Sequence, residues 1–333
     1  SAASPAASEH VGATDRKQAQ SEHRKRNRQR NKQAMRDEIG GLLDAFEALE
    51  PLGMRMEDGW RVGADEKVAL VDWPSLPPGV DPLGTNKKGG EARGRRKRNQ
   101  VATFVAYLRD VIEAFDVNAV VDYGCGTGNT VLTLASLFPD IRFTGVDLNE
   151  MSIRILNERI VASSLNNVTA RVGLIEECED LDVDVALALH VCGEATDFVM
   201  NQAIEKRIPF IVAPCCVGKV QEGGMRSLNR MRNDLIQLEK PTIERPRSKL
   251  MRAAGFDFNS YMSAATLADW SGHQGVDPSN PDEPLAALPR RAKSAIEADR
   301  GEFARQQSYR VSLHKMPAQS GIRDDVIVGI PHP

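Results

Sequence analysis

Short apolar segments of strand length alternate with longer segments of helical period through the middle of the chain. The predicted strands are Ala119–Tyr123, Arg142–Val146, Val168–Val172, Val183–Leu189 and Phe210–Ala213. The predicted helices between them are Asn129–Leu137, Glu150–Ser164 and Ala195–Lys206. Regular alternation of this kind is typical of a parallel sheet that is covered by helices on both faces. We therefore expect an α/β domain.

The pattern continues on both sides of this region. An apolar helical face from Val101 to Phe115 predicts a helix directly before the first strand. Further helical patches lie near Met225–Leu238 and within Pro289–Gln306. Tyr309–Lys315 and Val326–Ile330 then predict two short strands that close the sheet as an antiparallel hairpin.

The N-terminal part has a different composition. Residues 1–22 are small and polar without an apolar period, so we expect disorder there. The basic run Arg24–Arg36 leads into an apolar stripe from Ile39 to Leu49, which predicts a charged helix whose stripe packs on the main domain. Pro51–Gly94 is rich in Gly, Pro and Asp and predicts an irregular linker. The expected divisions are therefore 1–22, a basic and irregular extension at 23–92, and the α/β domain at 93–333.

Composition limits the classes of protein to consider. Hydrophobic residues make up 41% and charged residues 27% of the 333 residues, as in soluble globular proteins. No apolar run reaches the roughly 18 residues that a membrane-spanning helix needs, so we expect no membrane association. The five cysteines are not spaced like a secreted disulfide framework, which favours reduced thiols inside the cell. The cytoplasm is the expected location, with a nuclear or organellar one left open.

A glycine-rich loop follows the first strand. The candidate cofactor-binding residues in and beside this loop are Asp122, Gly124, Gly126, Gly128 and Asn129. A dinucleotide-binding GxGxxG fingerprint would need glycine at position 129, where this chain has asparagine. The GxGxG pattern resembles instead motif I of the class I S-adenosylmethionine (SAM)-dependent methyltransferases. That resemblance implies SAM as cofactor, with the glycines beneath its amino-acid portion and Asp122 ordering the loop or the ammonium.

Asp147 at the end of the second strand supports the same prediction. An acidic residue at this position can accept hydrogen bonds from both ribose hydroxyls of a bound nucleoside. Together these features predict a Rossmann-like, seven-stranded class I methyltransferase sheet with a terminal antiparallel hairpin, preceded by a basic helical and irregular extension.

The segments after the fourth and fifth strands carry the candidate reaction chemistry. Ligands of open α/β sheets bind beyond the carboxyl ends of the strands, which places His190 and Cys192 beside Cys215 and Cys216. His190 is a candidate base for an acceptor hydroxyl. The cysteines have three possible roles: packing, metal ligation with His190, or a nucleophilic thiolate. Cysteine is commonly buried, while adjacent cysteines chelate one ion poorly and no CxxC motif is present, so packing is favoured and no metal is expected.

LHVCGEATD and PCCVGK resemble the methyltransferase-like domain of the glutathione S-transferase C-terminal domain-containing proteins, over roughly residues 93–333. They are similar, more distantly, to tRNA 2′-O-methyltransferases with a His-x-Cys-Gly element and a Cys-Cys pair. The basic runs Arg24–Arg36 and Arg93–Arg98 can contact phosphates, or serve as a solvated face or a localisation signal. The favoured hypothesis is a SAM-dependent RNA methyltransferase. A non-catalytic assembly factor with the same fold and a protein methyltransferase are the alternatives.

Overall fold

A computed structural model gives the fold and describes residues 30, 33–52, 69–85, 90–220, 243–269, 284–317, 320 and 325–333. Three predictions concern segments outside these residues: disorder at 1–22, most of the basic run Arg24–Arg36, and the helical patch at Met225–Leu238. Within the described part of the chain, no helix combines the length and the hydrophobicity needed to cross a membrane.

A seven-stranded sheet forms the centre of the molecule. Its strands are β1 (Ala119–Tyr123), β2 (Arg142–Asp147), β3 (Val168–Val172), β4 (Val185–Leu189), β5 (Phe210–Ala213), β6 (Tyr309–Lys315) and β7 (Asp325–Pro331). Their order is β3-β2-β1-β4-β5-β7-β6. The first five strands are parallel, whereas β7 is antiparallel to both β5 and β6. The predicted α/β class, the seven strands and the terminal antiparallel pair are confirmed.

Helices connect and cover these strands. They are α1 (33–47), α2 (Pro82–Thr85), α3 (Gly90–Ala114), α4 (Asn129–Leu137), α5 (Glu150–Ser163), α6 (Glu194–Lys206), α7 (Lys249–Ala253), α8 (Phe258–Ala268) and α9 (Pro284–Gln306). The helical patch predicted within Pro289–Gln306 lies in α9, which begins earlier, at Pro284, and contains Pro289 in its interior.

Both faces of the sheet are buried, as the alternating elements predict. All five residues of β1 are buried. Val120 packs in one apolar cluster with Phe104 of α3, while Val121 and Tyr123 pack in another with Val199 of α6. Successive side chains of a strand point to opposite faces, so these two clusters are the two layers of core around a single sheet.

The extension before residue 93 is packed against the domain in its described parts. Ile39, Leu43 and Phe46 of α1 are buried in a cluster with residues of α7, α8 and α9, which confirms that the apolar stripe packs on the main domain. The segment predicted as irregular linker contains a 3₁₀ turn at Trp73–Ser75 and the short helix α2. It contacts α3, where the Arg98 guanidinium lies 5.3 Å from the Trp73 ring centroid and also binds Asp81. The boundary near residue 92 stays a prediction.

A buried charge cluster joins α6 to the C-terminal part of the chain. Asp197, in the first turn of α6, is fully buried. Its carboxylate accepts hydrogen bonds from Arg245 Nη2 at 2.7 Å, Arg247 Nη1 at 2.8 Å and Arg300 Nε at 3.0 Å. Burial alone would raise the pKa of Asp197, but attraction from the arginines outweighs it and holds this pKa well below its usual range. One carboxylate thus compensates several buried guanidinium groups.

Asp197→Asn is expected to lower the free energy of unfolding by about 3–5 kcal/mol, because it leaves buried arginines without their counter-charge. Urea denaturation monitored by circular dichroism measures this loss. Since the folded pKa is depressed, the wild-type advantage should be complete above about pH 4, the ordinary pKa of aspartate, and shrink below it.

Asp182→Asn is the matched control, since Asp182 meets Arg142 at the protein surface. Equal losses of stability in the two variants would contradict the role assigned to the buried cluster.

Candidate active site

The glycine-rich loop between β1 and α4 has a backbone that other residues rarely adopt. Gly124, Gly126 and Gly128 have φ values of 67°, 55° and 88°. A Cβ atom on Gly124 would lie 2.6 Å from Val191 Cγ2, and one on Gly128 would lie 2.3 Å from Leu156 Cδ1. A Cβ on Gly126 would meet no atom within 4 Å. Protein side chains therefore fill the space beside the Cα atoms of Gly124 and Gly128. The space beside Gly126 is open, and this is the open side of the loop.

Asp147 ties this loop to the end of β2. Its Oδ2 accepts a hydrogen bond from the Gly126 amide at 2.8 Å, and its Oδ1 accepts one from the Asn149 amide, also at 2.8 Å. A carboxylate oxygen has more than one acceptor site, so these bonds leave room for hydroxyl donors from a ligand. The structure thus places Asp147 beside the glycine loop, and its predicted contact with the ribose stays a prediction.

Asn129 begins α4, and its side chain contacts the protein. Its Oδ1 accepts a hydrogen bond from Arg159 Nη1 at 3.0 Å, and the same guanidinium donates to the carbonyl oxygens of Thr127 and Gly79. Burial lowers the pKa of Arg159 to about 10. Arg159 thus holds the far end of the loop against the segment before α3, and the predicted cofactor contact of Asn129 stays a prediction.

Asp122 is a buried acid at the base of the loop. Within the described residues its Oδ2 has no hydrogen-bond partner. Burial raises the pKa of Asp122 to about 7, and the positive charge of Lys97 opposes that shift. Burial lowers the pKa of Lys97 to about 8, against the opposing effect of Asp122 and Cys215. An acid and a base of similar pKa therefore interact electrostatically at the carboxyl end of β1, the edge at which open α/β sheets have their ligand-binding cleft.

His190 follows β4 in a left-handed conformation, with φ of 70°. Its Nε2 lies 2.9 Å from Oε1 of Gln100 on α3, while Nε2 of Gln100 donates to the carbonyl oxygen of Ser320 at 3.0 Å. Since the Gln100 amide group is directed at Ser320, the oxygen faces the imidazole, and His190 Nε2 carries the proton in the neutral ring. Nδ1 is then the basic nitrogen.

The loops after β4 and β5 bring three cysteines together. The Sγ atoms of Cys192, Cys215 and Cys216 all lie within 4.8 Å of one another. The Cys192–Cys215 pair is at 2.7 Å and the Cys215–Cys216 pair at 3.6 Å. Hydrogen bonding among the three groups, together with burial, raises the pKa of Cys192 well above its usual range. The predicted juxtaposition of the two cysteine segments is therefore present, and the catalytic roles of these side chains stay predictions.

Lys97 and Gln100 contribute to the cleft although the sequence did not single them out. Lys97 belongs to the basic run Arg93–Arg98, which suggested surface charge. Its spacing from the buried Val101 and Phe104 is helical, so periodicity along α3 was a signal for an inward-facing lysine. By contrast, no local pattern indicated that Gln100 would contact His190, 90 residues further along the chain.

Comparison with known proteins shows which domains and proteins the chain is similar to. Residues 96–223 match a family model described as a methyltransferase domain. The chain is similar to the glutathione S-transferase C-terminal domain-containing protein of Mus musculus, with 25% identity over 262 residues that cover 78% of this chain and 37% of the mouse protein. The homolog in Drosophila melanogaster is 25% identical over 268 residues, which cover 78% of this chain and 40% of the fly protein. The chain spans well under half the length of these relatives.

The chain is also similar to two solved structures. One is magnesium protoporphyrin IX methyltransferase from Synechocystis PCC 6803 with bound SAH, at a TM-score of 0.40 and 14% identity over 73% of this chain and 86% of the other. The second is a putative caffeoyl-CoA O-methyltransferase from Staphylococcus aureus, at a TM-score of 0.39 and 12% identity over 69% of this chain and 83% of the other.

The family match and the sheet topology agree with the resemblance found in the sequence. Residues 96–223 are therefore similar to a methyltransferase domain, and the seven-stranded sheet is the fold that this resemblance implies.

Asp122→Asn is expected to remove the loss of folding stability that ionisation of the buried Asp122 causes as the pH rises. The pKa of Asp122 is about 7 in the folded protein and about 3.9 in an unfolded chain. Between these values the folded state binds more protons, so the free energy of unfolding falls as the pH rises from about 4 to about 7. Relative to wild type, the variant should therefore gain on the order of 3 kcal/mol between pH 4 and pH 8.

Urea denaturation across this pH range measures the difference. Asp140→Asn, at an exposed turn before β2, controls for the loss of one negative charge. Parallel pH curves for wild type and Asp122→Asn would contradict the assignment.

Proposed function

We propose that the protein is an active SAM-dependent methyltransferase whose acceptor is RNA. The observation that supports this most directly is the convergence of the open side of Gly126, the buried Asp122 and the His190 ring at the carboxyl ends of neighbouring parallel strands. This edge of an open α/β sheet is where ligands bind.

The residues of the cleft fit the cofactor. Asp122 Oδ2, without a partner in the described residues, suits the ammonium of the amino-acid portion of SAM. Gly126 leaves space above the loop, and Asp147 offers acceptor sites to the ribose hydroxyls. SAM supplies a methyl group on a sulfonium, which is reactive enough that orientation of the acceptor provides most of the acceleration.

His190 is suited to take the proton from an acceptor hydroxyl. The bond from its Nε2 to Gln100 fixes the ring orientation and directs Nδ1 as the basic nitrogen. Gln100 is itself held by the Ser320 carbonyl, so α3 acts as a support for the imidazole. Gln100 is a positioning residue in this proposal, because it acts only through His190.

The charges around the cleft favour RNA as the acceptor. Arg93 and Arg96 are exposed in the first turns of α3, where Arg95 pairs with Glu91, while the same part of the helix directs Lys97 and Gln100 into the cleft. Exposed arginines next to a reaction site can bind phosphates without reading sequence. Arg98 is committed to Asp81 and Trp73 and is left out of this patch.

Gly126→Arg is expected to weaken SAM binding by about 100-fold or more, because the side chain fills the open side of the loop. Isothermal titration calorimetry measures the binding, and transfer of tritium from labelled SAM into total cellular RNA measures the activity. Gly90→Arg is the matched control, since Gly90 also has a positive φ, of 66°, and open space around it.

The acceptor is tested by the same transfer experiment. Label in RNA that disappears in Gly126→Arg supports the proposal. Label in protein would identify a protein methyltransferase, and SAM binding without any transfer would favour a non-catalytic assembly factor, so either result overturns RNA methylation.

Arg96→Glu is expected to raise the KM for RNA roughly fivefold at low salt and to reduce the slope of log affinity against log salt by about 1, with SAM binding unchanged. Arg109→Glu is the matched control, on the same helix but about 20 Å along its axis. Filter binding at several salt concentrations measures both variants. Equal effects at the two positions would contradict a phosphate contact at the start of α3.

A further inference from the structure

We propose that Cys192, Cys215 and Cys216 bind a zinc ion through their three sulfur atoms at the ends of β4 and β5. The proposal is independent of the acceptor, because it concerns the affinity of the site for the metal alone.

The positions of the sulfur atoms are close to those that zinc requires. Zn–S bonds of about 2.3 Å in a tetrahedral site place the ligand sulfurs about 3.8 Å apart. The Cys215–Cys216 pair is at 3.6 Å, and all the Sγ atoms lie within 4.8 Å of one another. The Cys192–Cys215 pair, at 2.7 Å, would need to open by about 1 Å. Cys192 is the less buried partner, so a small rotation of its side chain can supply this change.

The backbone holds the two contributing loops together. β4 and β5 are adjacent parallel strands, with Leu189 opposite Ala213. Beyond the strands, the His190 amide donates to the Ala213 carbonyl and the Gly193 amide donates to the Cys216 carbonyl, each at 3.1 Å. Adjacent cysteines alone are poor chelators, but here the third sulfur comes from a different loop that is fixed to the first. The sequence shows the adjacency of Cys215 and Cys216 but not the approach of Cys192 to them, which is why it predicted no metal.

The other two cysteines, Cys125 and Cys178, have the surroundings expected of thiols that only pack in the core. The Cys125 thiol contacts the carbonyl oxygen of Gly126 and the Cys178 thiol contacts that of Leu174. Each lies among apolar side chains and outside any cysteine group. Burial of small apolar side chains therefore explains Cys125 and Cys178. Burial alone does not explain why three thiols from two different loops lie next to one another.

The charges balance when the metal binds. Zn²⁺ displaces the proton from each of three thiols, three protons pass to solvent, and the resulting complex carries one negative charge. Lys97, whose pKa responds to the charge of Cys215, can compensate it. Three sulfur ligands select a soft ion such as zinc over magnesium or calcium.

The fourth position is open in the described part of the protein, where no histidine or carboxylate joins the three sulfurs. Three protein ligands with an exchangeable fourth ligand are typical of reactive zinc sites, whereas structural sites have four protein ligands. A water or another exchangeable ligand then completes the tetrahedron. The site then lies next to His190, whose carbonyl oxygen contacts the thiols of Cys192 and Cys215.

The test is the metal content of the whole chain, purified with a non-chelating reductant and measured by plasma mass spectrometry. We expect about one zinc per chain, with sulfur-to-metal charge-transfer absorption when Co²⁺ replaces zinc. Cys192→Ser and Cys216→Ser should each weaken Zn²⁺ binding by about 100-fold or more. Cys178→Ser is the matched control and should retain the metal, with circular dichroism used to show that each variant is folded.

X-ray absorption spectroscopy at the zinc edge of the wild-type protein gives a readout that needs no variant, and three sulfur ligands are expected. Protein with no metal and five reactive thiols would show that the cluster only packs, which overturns the proposal. A Cys192–Cys215 disulfide that leaves no zinc affinity after reduction would also overturn it. Zinc retained unchanged in both serine variants would place the ion elsewhere, with the same consequence.

Discussion

The edge of the sheet that carries His190 and the cysteines depends on the ion pairs around Asp197. Arg300 binds this carboxylate and also donates from Nη2 to the Gly193 carbonyl oxygen at 2.9 Å. Gly193 immediately precedes α6 and belongs to the loop that carries His190 and Cys192. A loop in which His190 has a positive φ is strained on its own, so it persists only where its surroundings fix it. The buried arginines provide this fixation by joining α6, α9 and the Arg245–Lys249 segment.

The opposite wall of the cleft is equally dependent on distant parts of the chain. α3 places Gln100 against His190 and Lys97 towards Asp122, and α3 is in turn packed against the segment around Trp73 and Val80. The residues before 93 therefore support the site although they precede the matched family region at 96–223. A change in this extension would reach the cleft through α3, without any direct contact with a ligand.

The residues on these two sides of the cleft also show which parts of the structure could be predicted from the sequence. The bounds of β1, β3 and β5 followed from apolar runs, and the glycine loop followed from backbone requirements that are local in sequence. The burial of Arg245 and Arg247 could not be predicted, because the segment RPRSK, at residues 245–249, has the composition of an exposed basic segment. Their burial depends on Asp197, about 50 positions earlier in the chain. Periodicity reports the face of an element that is buried, whereas the partner of a charge is decided by the tertiary fold.

Lys97 interacts electrostatically with both the glycine loop and the cysteine cluster. Its charge acts on Asp122 at the glycine loop and on Cys215 at the end of β5. The positive charge of Lys97 opposes the effect of burial on the pKa of Asp122. A cation bound at Asp122 would take over that function and leave the ammonium to stabilise negative charge on the sulfur cluster. Because the charge of Lys97 acts on both groups, a change of charge at Asp122 alters the electrostatic environment of Lys97 and, through it, that of Cys215.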